Sequence, residues 1–300
     1  MKGGPILVIV GLVAGLAASA RADETYRAEV EKWRKDREAR LVADGGWLTV
    51  AGLFWLKEGP NRFGTDASAD IVLPEGSAPA HAGTFVFEKG KTALRLASGV
   101  SGTVGGTRVT GPRAMGPDTT GRPDVLKLGA LSLYVIHRGN RFGIRVKDKN
   151  SSIRREFTGL RWFDVDEAYR VEARWVSHAS PRPLKVPNVL GEVSTMPSPG
   201  YAEFELDGQV VRLDGVLDDP QSVELFFIMR DQTSGKETYG AGRFLYSDLP
   251  KRGRVILDFN KAYNPPCAFT PYATCPLPPK ENWIPVAVEA GEKSYSDSAH

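Results

Sequence analysis

The apolar positions near the start of the chain are spaced as on one face of a helix. They recur every three or four residues, with one arginine on the same face: Tyr26, Val30, Trp33, Arg37 and Leu41. Because an α-helix turns once in about 3.6 residues, this spacing puts all five on one stripe. A glycine pair at Gly45 and Gly46 is typical of a helix C-terminus. The pattern predicts an N-terminal helix over residues 23–44.

After residue 45 the pattern changes to short apolar runs that are separated by turns. Two such runs, residues 131–137 and 142–146, flank a polar turn and predict a β-hairpin. Strands do not alternate with helices, which argues against a doubly wound α/β fold. We therefore expect a mainly β protein, with a β-sandwich over residues 45–150 and a second β-rich domain, sandwich or barrel-like, over residues 201–295.

The segment between these two regions is rich in proline. Residues 178–200 contain five prolines, a composition that favours an extended chain over a packed element. We interpret residues 151–200 as connecting strands and a Pro-rich linker. The polar residues 296–300 are expected to form a disordered tail.

Residues 1–22 have the pattern of a secretory signal peptide. Lys2 is followed by an apolar run from Pro5 to Ala18 that carries no charge, and small residues offer cleavage sites near Ala20 or Ala22. The run is shorter than the ~20 residues of a membrane span. We therefore expect a periplasmic or secreted protein that has no membrane span once the leader is cleaved; the alternative is an uncleaved N-terminal anchor.

Composition and charge narrow the function. The chain of 300 residues is 41% hydrophobic and 25% charged, which is typical of a folded protein. Cleavage would remove two basic residues from a chain of net charge +3, and the nearly neutral remainder predicts no nucleic-acid partner. Two cysteines and four histidines leave little material for a metal centre, and no nucleotide fingerprint occurs after the leader. We expect neither a metal nor a cofactor.

Residues 59–74 resemble the start of a forkhead-associated (FHA) domain. An arginine at Arg62 lies near glycines, the run Asp70–Leu73 follows, and Ser77 and His81 come next. In that family an arginine and a serine hold a phosphothreonine. Here Thr65 stands after the glycine where the family has its arginine. The resemblance therefore implies an FHA-like β-sandwich over residues 45–150 rather than phosphopeptide binding.

The segment 230–246 offers a first group of ligand-binding candidates. If residues 238–246 form one strand, Tyr239 and Arg243 project from the same face, while glycines leave the other face bare. The alternative is that the glycines serve packing and that Arg243 lies in a buried ion pair.

The proline-rich stretch 258–279 offers the second group. Its prolines exclude a helix and would hold polar side chains rigidly. With Tyr239 and Arg243, the predicted ligand-binding residues are Asp258, Asn260, Tyr263 and Asn264. Cys267 and Cys275 are predicted to form a disulfide in an oxidising compartment, with a thiol nucleophile or a metal pair as the alternative.

Three segments together resemble a bacterial family catalogued as domain of unknown function 1684. They are residues 46–56, residues 159–163, and the run from Asp258 to Phe269. The resemblance extends over nearly the whole chain after the leader. It implies a β-rich protein and brings no activity with it.

Three functions remain open. The first is a protein that binds a small polar or anionic ligand in a pocket of the C-terminal half. The second is a hydrolase-type enzyme that uses carboxylate pairs, Asp258 with Glu289 or Asp231 with Glu237, assisted by Tyr263. The third is an envelope module for protein–protein interaction, whose partner the sequence does not indicate. The histidines His81, His137 and His178 are expected to be surface or hydrogen-bonded residues.

Overall fold

A computed structural model describes residues 9–219 and 221–295, with residues 9–22 as helix backbone only. Helix α1 spans Ile9–Val42, so the predicted N-terminal helix is confirmed and begins earlier than expected. The predicted apolar stripe is the side that packs, because Tyr26, Val30 and Leu41 are all buried. Within the described residues, no helix is both long and apolar enough to cross a membrane.

The first β region is a sandwich of two sheets. One sheet has six strands in the order β1-β11-β10-β9-β6-β7, and the other has five in the order β3-β2-β4-β5-β8. The strands are β1 Val50–Trp55, β2 Gly59–Gly64, β3 Ile71–Val72, β4 Gly83–Glu88, β5 Lys91–Leu96, β6 Thr103–Val104, β7 Thr107–Arg108, β8 Arg113–Met115, β9 Val125–Leu128, β10 Leu131–Arg138 and β11 Arg141–Asp148. Alternate residues of both sheets, among them Phe63, Phe85, Leu133 and Ile144, fill one shared core.

The second β region is built from a four-stranded sheet, ordered β14-β13-β12-β17, and a two-stranded sheet, β15-β16. The strands are β12 Arg170–Pro187, β13 Val193–Leu206, β14 Gln209–Gly215, β15 Glu224–Met229, β16 Arg243–Asp248 and β17 Arg254–Asp258. Leu213, Phe227, Leu245 and Leu257 belong to a core that both sheets share. A short helix, α2 Ser152–Arg155, lies between the two β regions in the chain. The mainly β fold class is therefore confirmed.

The proline-rich segment differs from the expected linker, because residues 170–206 form a long antiparallel hairpin of β12 and β13. Pro183 lies directly opposite Pro197 in this pairing. Two opposed residues that lack N–H groups fit a pair that exchanges no ladder hydrogen bond, so the prolines do not break the sheet. The domain limits drawn from the sequence stay a prediction.

The predicted leader and tail fall largely outside the described residues. The signal peptide covers residues 1–22, of which residues 1–8 are not described, and the tail 296–300 is not described either. Cleavage near Ala20 or Ala22 and disorder of the tail stay predictions.

Candidate functional site

A charged cleft lies between helix α1 and the outer face of the four-stranded sheet. Its volume is about 950 Å³, within the range of pockets that hold small molecules. Helix α1 contributes Trp33, Arg37 and Arg40, which are four and three residues apart and therefore lie on one face. Strand β16 and the turn after it close one end of the cleft with Tyr246 and Arg252.

The floor of the cleft follows from the alternation of two paired strands. In β12 and β17, Arg170 lies opposite Asp258 and Glu172 opposite Ile256, and all four line the cleft. The residues between them, Val171 and Leu257 among them, point the other way into the core. Because side chains alternate between the faces of a strand, the apolar half of this pattern builds the core and the polar half builds the cleft.

Basic side chains outnumber acidic ones in this lining. Seven lining residues are basic: Arg37, Arg40, Arg170, Lys251, Arg252, Arg254 and Lys261. Four are acidic: Glu172, Glu224, Asp248 and Asp258. Three of the four carboxylates lie in ion pairs, Glu172 with Arg254 at 3.3 Å, Asp248 with Lys251 at 3.4 Å and Asp258 with Lys261 at 2.9 Å. The cleft is therefore electropositive.

Three arginines carry that excess charge. Arg40, Arg170 and Arg252 are exposed, and none of them forms an ion pair with any residue that the structure describes. The guanidinium of Arg170 lies over the Tyr26 ring, 5.4 Å from its centre. Their positive charges are therefore not neutralised by an ion pair with a described residue.

Asp258 is held in place by helix α1. Its Oδ1 accepts a hydrogen bond from the Tyr26 hydroxyl at 2.7 Å, and its Oδ2 contacts Lys261 Nζ at an angle outside hydrogen-bond geometry. Asn260 Nδ2 donates to the same Tyr26 oxygen at 2.9 Å and to the Asp166 carbonyl at 2.7 Å. Burial, followed by the bond to Asp258, raises the pKa of Tyr26, so its hydroxyl stays a donor.

A second buried network fixes Arg37 in the wall of the cleft. Its guanidinium lies 3.4 Å from Glu292 Oε2, donates to the Asn264 carbonyl at 2.9 Å, and stacks 4.7 Å from the centre of the Tyr263 ring. Glu292 has no exposed surface, and burial raises its pKa to about 7. Asn264 Nδ2 donates to the Lys293 carbonyl. Burial also raises the pKa of Tyr263 to about 12, so this lining tyrosine is neutral at pH 7.

The six predicted ligand-binding residues fall into three groups. Asp258 and Tyr263 line the cleft. Asn260 and Asn264 are buried behind it and position its walls. Tyr239 and Arg243 lie outside its lining.

Arg243 forms the buried ion pair that was the alternative at the sequence level. It is fully buried, and its Nη2 lies 2.9 Å from Asp231 Oδ2 and donates to the Val288 carbonyl, while Nη1 donates to the Ala290 carbonyl. The expected shared strand face with Tyr239 is wrong, since β16 begins only at Arg243. Gly242, at φ +95°, interrupts the alternation, and a Cβ there would meet the Met229 carbonyl oxygen at 2.4 Å.

In each carboxylate pair proposed for hydrolysis, one carboxylate is bound by neighbouring side chains and the other is exposed to solvent. Asp231 is committed to Arg243 and to Thr233, whose hydroxyl donates to it at 2.6 Å, whereas Glu237 is exposed. Asp258 is held by Tyr26 and Lys261, whereas Glu289 is exposed. In the part of the chain that the structure describes, no three His, Cys, Asp or Glu side chains cluster as metal ligands would.

The predicted disulfide is not formed in the structure. Cys267 and Cys275 are both free, and Cys275 Sγ accepts a hydrogen bond from the Cys267 backbone N–H at 3.2 Å. The sulfur of Cys275 thus serves as an acceptor for the short helical turn Pro266–Ala268.

Sequence reasoning missed most of the cleft. It placed Trp33 and Arg37 on the packing stripe of the helix and did not single out Arg40, Arg170 or Arg252. The available signal was an aromatic residue and two arginines at positions 33, 37 and 40, on the same helix face.

Comparisons with known proteins place the second β region in a family. Residues 155–293 match the family described as "Protein of unknown function (DUF1684)". An uncharacterized protein from Haloarcula marismortui, solved by solution NMR, is 34% identical over 48% of this chain and 81% of that chain, with a TM-score of 0.41. None of the curated proteins matches.

Two FHA structures are also similar to part of the chain, each at 18% identity over 32% of it with a TM-score of 0.23. One is the FhaA FHA domain complexed with the intracellular domain of Rv3910, of which 97% is covered. The other comes from an analysis of phosphothreonine-dependent FHA domain interactions, and 92% of it is covered. The family match over residues 155–293 includes the run from Asp258 to Phe269 that carries the resemblance in the sequence. The chain belongs to the DUF1684 family.

Proposed function

We propose that this protein binds a small anionic molecule, one that carries a phosphate or carboxylate group, in the cleft between helix α1 and the four-stranded sheet. The observation that carries the proposal is the set of three exposed arginines, Arg40, Arg170 and Arg252, that have no carboxylate partner among the described residues. A guanidinium presents a planar fork of donors that matches phosphate and carboxylate oxygens.

The remaining walls suit a ligand with a flat apolar part. Trp33, Tyr246 and Tyr263 line the cleft, and Trp33 and Tyr263 are neighbours, with ring centres 6.2 Å apart. Aromatic walls and a few charged groups are the usual composition of a small-molecule site. The proposal therefore combines an anionic head at the arginines with a flat body against the rings.

Binding rather than hydrolysis is favoured by the state of the carboxylates. Three of the four in the lining are already neutralised by lysine or arginine at 2.9–3.4 Å. A general acid or base needs a proton that it can exchange with the substrate, and these groups are engaged with cations instead.

Binding is tested by calorimetric titration of the purified protein with two probes, inorganic pyrophosphate and citrate, at low and moderate salt. The variants Arg170→Gln and Arg252→Gln should each weaken binding of the preferred probe roughly tenfold to a hundredfold, the range expected from one lost charge-assisted hydrogen bond. Native mass spectrometry of the freshly purified protein should show a co-purified anion that both variants lose.

Arg95→Gln is the matched control, because Arg95 is an exposed arginine on β5 of the first sandwich, outside the cleft lining. It should bind both probes as the wild type does. Equal affinities in all three variants, or an equal loss in the control, would refute the cleft as the binding site.

We also propose that the protein is exported to the periplasm or secreted. The leader pattern of residues 1–22 supports this, and the residues of α1 that dock on the protein, from Tyr26 to Leu41, all follow the predicted cleavage sites. Intact mass of protein from the periplasmic fraction should correspond to a chain that begins after Ala20 or Ala22. A full-length mass in the cytoplasmic fraction would contradict export.

A further inference from the structure

The outer face of the six-stranded sheet carries a group of basic residues that the proposed cleft does not use. Lys127, Tyr134, Arg145 and Lys147 share this face, because Tyr134 lies opposite Arg145, and Ser132 lies opposite both Lys147 and Lys127. The opposite face, with Leu133 and Ile144, packs into the core of the sandwich. The basic face is partly covered by Trp47 and by the loop that contains the two cysteines, since Arg145 lies against the Trp47 ring and contacts Thr274 of that loop.

Arg145 is the unusual member of this group. It is only 3% exposed, its guanidinium lies 5.1 Å from the centre of the Trp47 ring, and its Nη2 is 3.5 Å from the Thr274 hydroxyl. Its Nε has no hydrogen-bond partner, and it forms no ion pair with any described residue. Burial of a cation without an anion is unfavourable, so the site calls for a negative charge beside Arg145.

The two cysteine side chains lie next to this unpaired cation. Arg145 Nη2 lies 3.5 Å from the hydroxyl of Thr274, the residue that precedes Cys275, and Cys275 Sγ accepts a hydrogen bond from the Cys267 backbone N–H at 3.2 Å. Cys267 is partly exposed, whereas Cys275 is only 5% exposed. The pair is therefore asymmetric, with one sulfur that a small molecule can reach and one that only the first sulfur can reach.

The charge state of the pair has the same asymmetry. Interaction with Cys275 lowers the pKa of Cys267, and the charge of Arg145 acts in the same direction, while interaction with Cys267 and burial raise the pKa of Cys275. Nearby, burial followed by the charges of Arg145 and Lys127 lowers the pKa of Lys147 to about 8. Arg145 is therefore a positive charge close to the partly exposed sulfur, and a neighbouring cation activates a cysteine as a nucleophile.

We propose that Cys267 is a peroxide-reactive cysteine, that Cys275 is its resolving partner, and that Arg145 supplies the charge that holds Cys267 as a thiolate. The oxidant is a small hydroperoxide. A half-buried thiolate is accessible to such a molecule, whereas a bulky disulfide would have to open the loop.

The reaction balances in two steps. The Cys267 thiolate attacks one oxygen of the hydroperoxide, the O–O bond breaks, the sulfur is oxidised to a sulfenic acid, and the leaving alkoxide or hydroxide takes a proton from water. The Cys275 thiol then loses its proton and attacks the Cys267 sulfur, the S–S bond forms, and the S–O bond breaks to release water. In sum, two thiols and one hydroperoxide give a disulfide, an alcohol or water, and one further water.

The test uses the purified, fully reduced protein and hydrogen peroxide in stoichiometric amount. The wild type should lose both free thiols, and its intact mass should fall by two hydrogens. Cys275→Ser should stop at the first step, so that dimedone labels residue 267 as a sulfenic acid. Cys267→Ser should keep its remaining thiol under the same conditions.

The role of Arg145 is tested separately, with one variant that removes its positive charge and one that keeps it. Arg145→Met should slow peroxide oxidation, roughly tenfold for each unit by which the thiol pKa of the variant lies above the assay pH, and Arg145→Lys should restore most of the rate. If Arg145→Met fails to fold, the two cysteine variants still decide the roles of the sulfurs. A dimedone adduct on Cys275 in Cys267→Ser, or no adduct in Cys275→Ser with both wild-type thiols intact, would overturn the proposal.

Discussion

Helix α1 and the second β region together contain two kinds of arginine, and their surroundings are opposite. Arg243 is fully buried and is bound to Asp231 and to the carbonyls of Val288 and Ala290. Arg40 and Arg252, at the mouth of the cleft, are exposed and have no carboxylate partner among the described residues. A ligand cannot reach the donors of a fully buried arginine such as Arg243, so the exposed arginines are the candidates for binding.

Asp258 lies between these two extremes. It is 7% exposed and is fixed by Tyr26 and Lys261, yet it also forms part of the cleft lining. The comparison therefore predicts that substitutions in the buried networks reduce stability most and those at the mouth of the cleft reduce it least. For ligand binding the order should be reversed, with the largest losses at the mouth of the cleft.

The largest effect is expected for Arg243→Met. The substitution removes the cation that neutralises Asp231, whose side chain is 1% exposed. Removal of one partner of a buried pair leaves an uncompensated charge and costs about 3–5 kcal/mol. Urea unfolding followed by circular dichroism measures the loss.

The matched control is Arg254→Met, which breaks the exposed pair with Glu172. Exposed pairs contribute about 0–1 kcal/mol, so this variant should unfold close to the wild type. Similar losses in the two variants would show that burial does not separate the two kinds of arginine.

The second effect concerns Glu292 and depends on pH. Burial raises its pKa to about 7 from the ordinary value of 4.5, so the folded protein holds this proton to a higher pH than the unfolded chain does. The stabilisation that comes from protonated Glu292 is complete below the pKa of this residue in the unfolded chain. It is lost as pH rises through the pKa of Glu292 in the folded protein. Since a tenfold change in a proton equilibrium is about 1.4 kcal/mol, the loss between pH 4.5 and 8 is on the order of 3 kcal/mol.

Glu292→Gln keeps the shape of the protonated acid and cannot ionise. Its free energy of unfolding should therefore fall less than that of the wild type between pH 4.5 and 8, as determined by urea titrations at several pH values. Parallel curves for the two proteins would contradict the raised pKa.

The third effect is that of Tyr26→Phe. It removes the hydroxyl that donates to Asp258 at 2.7 Å and accepts from Asn260 at 2.9 Å. A hydrogen bond to a charged group contributes about 1.5–3 kcal/mol, which is the expected loss in a thermal or urea unfolding experiment. Tyr169→Phe is a suitable control, because Tyr169 packs on the core of the same region and its hydroxyl makes no hydrogen bond to a described residue. A loss as large in the control would mean that the bond to Asp258 contributes little.

The fold could be predicted from the sequence where a residue pattern is typical of only one kind of secondary structure. The stripe of Tyr26, Val30 and Leu41 predicted a helix and its buried face, and the short alternating runs predicted a mainly β chain. The proline-rich segment was misjudged, because whether a proline breaks a sheet depends on its position in the ladder. Pro183 and Pro197 meet opposite each other, which only the register reveals.

The site was predictable only in part, since it is assembled from distant segments. Asp258 and Tyr263 were found because they belong to a conspicuous loop. Arg40 and Arg170 are 130 positions apart in the sequence and share a cleft only after α1 docks on β12. An arginine that binds a ligand and one that holds a core look alike in a sequence, and burial separates them.

The smallest effect on stability should come from the double variant Arg40→Gln/Arg252→Gln. Unlike the other variants, this one should be slightly more stable than the wild type. Two unpaired positive charges in a lining with excess positive charge repel their neighbours, so their removal should change the free energy of unfolding by less than about 0.5 kcal/mol, in the stabilising direction. The gain should shrink as salt screens the charges. Unfolding of wild type, double variant and Arg95→Gln at low and high salt measures this. A double variant that is clearly less stable at low salt would show that these arginines support the fold, as Arg243 does, and that the distinction between the two kinds of arginine is wrong.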